Sequence, residues 1–108
     1  MATALILYPP PQDRKKFEHH YRTKHFPLVK KIPGLQSVQI SRQPPRSLEG
    51  GEPYYLAIEL EFASLVEMEA AFQSPESQAA SADLANFAPP GRIRYTYNRV
   101  PIRGGNKT

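Results

Sequence analysis

Cysteine is absent from the 108 residues. The chain therefore has no disulfide, thiolate metal site, iron–sulfur cluster or cysteine nucleophile. Long apolar runs are missing too, and the longest fall far short of the roughly 20 residues that span a bilayer. No basic segment precedes the first apolar stretch, so no signal peptide is expected and the default is a cytoplasmic protein. There is no P-loop, no Gly-x-Gly-x-x-Gly, no Gly-x-Ser-x-Gly and no His-Glu-x-x-His. A tightly held nucleotide and a metal- or serine-based hydrolase are therefore not expected. The length leaves room for one domain and no second core.

Excess charge is also slight. Fourteen Lys and Arg face ten Asp and Glu, a net charge of +4. Basic residues gather at Arg14-Lys15-Lys16, Lys24 and Lys30-Lys31. No stacking aromatics interleave with them, so they read as a solvated helix face and no nucleic-acid or membrane partner is expected.

Proline is plentiful, at 12 residues, and it falls between elements. Pro9-Pro10-Pro11, Pro33-Gly34, Pro44-Pro45 and Pro89-Pro90-Gly91 punctuate the chain, because proline fixes φ and lacks an N–H. Ala2–Tyr8 reads as an apolar strand. Asp13 is an N-cap, and Phe17, Tyr21, His25 and Leu28 follow at helical spacing. Pro27 predicts a bend or break near Lys24–Phe26. Leu35–Arg42 and Tyr54–Phe62 read as the second and third strands, joined by a loop over Gln43–Glu52. Ser64 caps a helix carrying Leu65, Met68, Ala71 and Phe72. Ser74-Pro75-Glu76 starts another that runs towards Phe87. In Arg92–Asn98 the residues Ile93, Tyr95 and Tyr97 alternate with Arg94, Thr96 and Asn98 as the fourth strand. Residues 1–98 form the domain and 99–108 a polar tail.

Strand, helix, strand, strand, helix pair, strand is an α+β order. Right-handed crossovers fold it into a ferredoxin-like βαββαβ unit, with a four-stranded antiparallel sheet and helices on one face. The other face then needs a cover. A second copy meeting it sheet to sheet makes a two-fold homodimer.

The stretch Tyr21-Arg22-Thr23-Lys24-His25-Phe26-Pro27-Leu28, running on to Pro33-Gly34-Leu35, resembles the signature of the EthD family. Residues Ser74 to Phe87 are similar to that family's second characteristic stretch, and Tyr54-Tyr55 also fits. The likeness extends from about Leu5 to Asn98; the His19-His20 doublet and the tail depart from it. It implies the dimeric α+β barrel superfamily. It implies little about chemistry, since the name-giving member accompanies a bacterial ether-degrading oxygenase system without a settled catalytic role. Superfamily relatives isomerise, cyclise or oxidise small molecules, often with no cofactor.

The candidate site centres on His25, which shares the buried stripe and titrates near neutral pH. The competing reading is a structural histidine donating to a backbone carbonyl at the bend. Family resemblance brings the two readings level. Tyr8 and Tyr55 are candidates to donate to a carbonyl or oxyanion, against the plainer role of strand aromatics. Phe17, Tyr21, Leu28, Asp83 and Phe87 are expected to line the pocket. Asp83 is read first as a solvated helix residue or a partner for Arg92 or Arg94, and second as a group orienting His25. His19, His20 and His25 do not have the i, i+4 spacing of a helical metal site, so no metal is expected. Glu59 and Glu61 are expected to meet solvent or arginines of another subunit.

The sequence thus points to a homodimer binding a small hydrophobic organic molecule between helices and sheet. Cofactor-independent acid–base catalysis is the leading reading. A non-catalytic accessory to an oxygenase, or an oxidoreductase using oxygen, flavin or haem, are the alternatives.

Overall fold

The computed structural model describes residues 1–51 and 53–102. The polar tail expected from the sequence lies outside them from 103 onward. Strand β1 (Ala2–Tyr8) leads through Pro9-Pro10-Pro11 to α1 (Arg14–His20), a π-helical turn (Tyr21–His25) and α2 (Phe26–Val29). Then come β2 (Ser37–Ile40), β3 (Leu56–Phe62), α3 (Leu65–Phe72), α4 (Pro75–Asp83), a 3₁₀ turn (Leu84–Asn86) and β4 (Ile93–Asn98). The sheet order is β2-β3-β1-β4, and every neighbouring pair is antiparallel. This is the ferredoxin-like architecture that the element order predicts.

The caps follow the residues expected to supply them. Asp13 accepts from the Lys16 N–H at 3.1 Å, Ser64 from Glu67 at 3.2 Å and Ser74 from Ser77 at 3.1 Å. Each satisfies one of the amides that a helix start leaves without an internal partner.

Period-two alternation sorts the sheet faces. Ala4 on β1 lies opposite Leu60, and Ile6 opposite Ile58. These residues face the helices and form the core with Phe62, Phe17, Met68, Val29 and Ile32. The other face carries Leu5, Leu7, Ala57, Glu59, Ile93, Tyr95 and Tyr97, with no helix of the described residues over it. Tyr95 there is 55% exposed.

Three expectations are corrected. Strand β2 is shorter than Leu35–Arg42, because Leu35 is still bonded into the turn from Ile32. Strand β3 begins at Leu56 rather than Tyr54. Tyr55 leaves the alternation to set its ring edge-on to Phe17, with centroids 5.5 Å apart. Glu61 does not meet solvent: it is buried, accepts from Thr3 Oγ1 at 2.9 Å, and pairs with Arg99 of its own chain. The reason is that pairing continues past β4. The Arg99 N–H reaches the Met1 carbonyl, at 2.8 Å, which brings the guanidinium to Glu61.

Candidate active site

Pro27 shapes the site before any side chain does. It has no N–H to give the Thr23 carbonyl, one α-helical turn back. The ladder widens instead, and the Phe26 N–H bonds to the Tyr21 carbonyl five residues earlier. Residues five apart, which an α-helix separates by about 140°, are brought to the same side by such a turn. His20 and His25 are five apart and both meet one carboxylate, that of Asp83 at the end of α4.

Nδ1 of His25 lies 3.1 Å from Asp83 Oδ2. Nε2 of His20 lies 3.0 Å from each Asp83 oxygen. An ionised carboxylate only accepts, so both imidazole nitrogens donate. Asn86 donates a third hydrogen bond to Asp83 at 3.0 Å. These three donors hold the Asp83 pKa below its ordinary value, although burial pushes it upward. The carboxylate therefore fixes the His25 tautomer with the proton on Nδ1 and a lone pair on Nε2. Among the described residues His25 Nε2 has no hydrogen-bond partner. No buried side-chain nitrogen or oxygen there goes unpaired, so Nε2 is within reach of solvent, and the His25 ring lines the cavity described next.

That cavity holds about 300 Å³ between α2, α4 and the sheet. Ile6, Val29, Ile32, Leu60 and Leu84 make its walls greasy, while Tyr8, Arg92 and Arg94 bring polar groups to it. Burial lowers the His25 pKa from 6.5, and the nearby His20 and Arg92 act in the same direction. The Asp83 hydrogen bond and charge oppose them without prevailing. Burial pushes the Tyr8 phenol up to about 12; Arg92 pulls it down and Asp83 adds to the rise. Tyr8 is thus a neutral O–H donor at physiological pH. Phe87 covers both histidines, stacked on His20 with centroids 4.8 Å apart and tilted on His25 at 4.7 Å.

The sequence-derived candidates divide between two places. His25 and Tyr8 share the cavity just described; Asp83 bonds His25, and Phe87 packs on it. Phe17, Tyr21 and Tyr55 line a second, larger groove of about 550 Å³ between α1 and β2. There Tyr55 hydrogen-bonds Glu18 and lies under Arg14. Tyr55 is therefore not placed to act with His25. Leu28 is half-buried against the core and lines neither space. Asp83 is not the solvated residue first expected, because its oxygens are occupied by His20, His25 and Asn86 rather than by Arg92 or Arg94. His25 donates to that carboxylate, not to a backbone carbonyl. His20 was passed over on its spacing, and the irregularity imposed by Pro27 was the signal that the spacing rule would fail. Arg92 and Arg94 were readable as two cations on one face of a strand. Among the described residues no three ligating side chains are grouped to hold a metal ion. No helix among them is long and apolar enough to cross a membrane.

Comparison with known proteins gives a consistent result. A model of the EthD domain matches residues 9–91. An uncharacterized 11.0 kDa protein in the thcB–thcC intergenic region of Rhodococcus erythropolis is 41% identical over 92 residues, covering 84% of this chain and 87% of that one. The crystal structure of an EthD family protein from Bacillus halodurans superposes with a TM-score of 0.82 at 27% identity, covering 93% of this chain and 99% of the other. A dimeric ferredoxin-like protein of unknown function from Jannaschia has a TM-score of 0.66 at 16% identity, covering 91% and 98%.

Proposed function

The chain belongs to the EthD family, and on that premise we propose that it is a homodimeric, cofactor-independent acid–base catalyst acting on a small, largely apolar carbonyl compound. The observation that carries this reading is the Asp83–His25 pair on the wall of a greasy cavity, with Nε2 unbonded among the described residues. His25 Nε2 takes a proton from a carbon beside the carbonyl. The electron pair of the broken C–H bond moves onto the carbonyl oxygen, where the Tyr8 O–H stabilises the developing charge. The imidazolium, held by Asp83, then returns the proton to the product.

The reading is supported by the direction of the His25 shift, which keeps the imidazole neutral and able to accept a proton at pH 7. Pairing through the open sheet faces is supported by the uncovered Leu5, Leu7, Tyr95 and Tyr97, and by the dimeric state of the Jannaschia relative. The test is deuterium uptake from D₂O into the methyl group of acetophenone, followed by proton NMR. The wild-type protein accelerates uptake, and His25→Ala lowers the acceleration by roughly 10²–10⁴-fold. Equal uptake with and without wild-type protein, or an unaffected His25→Ala variant, refutes the mechanism.

A further inference from the structure

Two cations line the His25 cavity with no acidic partner among the described residues. Arg94 is on the side of β4 that faces the helices, Arg92 lies just before the strand, and both line the cavity. Arg92 is half-buried. Among the described residues neither guanidinium has a salt bridge or a hydrogen bond to another side chain. Asp83, the acid that bonds His25, is engaged by His20, His25 and Asn86 rather than by either arginine. Elsewhere in this fold a buried charge is matched: Glu61 beneath the other sheet face pairs with Arg99 and Thr3. Arg94 is exposed and no buried nitrogen of Arg92 goes unpaired, so both guanidiniums are within reach of water. Burial and Arg94 both disfavour the charged form of Arg92, while Tyr8 favours it. Two guanidiniums beside an apolar cavity, neither engaged by an acid, suit an anionic ligand.

We propose that Arg92 and Arg94 form an anion subsite, so that the molecule taken into the His25 cavity is a carboxylate with an apolar body. This rests on the reading of that cavity as the active site and adds the substrate class to it. The walls limit the body to about the size of one aromatic ring or a short branched chain, since 300 Å³ lies at the small end of ligand pockets. A planar carboxylate suits the guanidinium fork of Arg92. Arg94, nearer the rim, attracts the anion on entry. His25 Nε2 and Tyr8 then face the carbons next to the held group. A fixed carboxylate would turn one C–H bond towards His25, which an apolar pocket alone cannot do.

The experiment is a binding titration of the full chain with benzoate and with its neutral isostere benzamide, followed by the His25 ring resonances in NMR. Benzoate is expected to bind at least tenfold more tightly than benzamide and to move the His25 signals. Arg92→Gln should weaken benzoate about tenfold or more while leaving benzamide unchanged. Arg94→Gln should weaken it less, and Arg42→Gln in the other groove not at all. Unchanged circular dichroism shows that each variant folds, and Arg92→Lys should recover part of the affinity. The subsite is overturned if benzoate does not bind up to millimolar concentration, if benzamide binds equally well, or if Arg92→Gln leaves benzoate binding intact. Acetophenone exchange is read separately. Loss of charge discrimination with exchange preserved removes the subsite alone, whereas discrimination with no His25-dependent exchange removes the catalytic reading alone.

Discussion

Burial and the Asp83 carboxylate act on His25 in opposite directions. Burial prevails, and the folded protein binds a proton on His25 less readily than the unfolded chain does. His25 therefore contributes stability that is fully present above its ordinary value of 6.5 and is lost as pH falls from there through the folded value. Asp83, also shifted down, adds a loss of the same sign below 3.8. Urea unfolding measured at a series of pH values should show stability declining on the acid side of 6.5, with the upper part of that decline absent in His25→Gln. Asp83→Asn is a sharper test of the pair. Removing the carboxylate removes the influence that raises the His25 pKa, so the acid limb of the exchange rate should move to lower pH. The rate itself should fall, because an amide does not enforce the Nδ1–H tautomer. A limb that moves to higher pH would contradict the arrangement.

Each helix is set by local chemistry, but one of them is bent to a purpose. Pro27 forces the wide turn that lets His20 and His25 meet one carboxylate, and π turns of this kind are frequent at functional sites. On the partner side, α4 must hold Asp83 in place, and its start depends on Ser74. The Ser74 hydroxyl accepts from Ser77 and donates to the Ala71 carbonyl at 2.6 Å, joining the end of α3 to the start of α4. Ser74→Ala should cost about 1 kcal/mol, seen as a melting point several degrees lower. A variant as stable as the wild type would show that the cap is dispensable. Gly91, at φ +96°, turns the chain into β4 and so sets where Arg92 enters the cavity.

For the whole molecule, the open sheet face decides assembly. A single layer of helices cannot cover both sides of a sheet, and Tyr95 and Tyr97 remain exposed on the uncovered side. Tyr95→Glu introduces a charge there and should convert a dimer into monomers in sedimentation velocity. If the wild-type protein sediments as a monomer at all concentrations, the sheet-to-sheet dimer is excluded. The fold itself was legible in the sequence, through the alternation in Tyr54–Phe62 and Arg92–Asn98, the caps at Asp13, Ser64 and Ser74, and the proline punctuation. The strand ends were less so, since Leu35 and Tyr55 answer to a turn and to an aromatic contact rather than to the sheet.

Periodicity, capping and proline placement are properties of neighbouring residues, and so the sequence by itself determined the βαββαβ order and singled out His25. Asp83 lies 58 positions from His25, and no spacing rule links the two. Only the crossover that lays α4 beside the widened turn joined them, just as the pairing of Arg99 past β4 brought it to Glu61 and the turn at Gly91 set Arg92 on the cavity wall. Contacts of that kind depend on how whole elements pack in space, which a linear pattern does not carry.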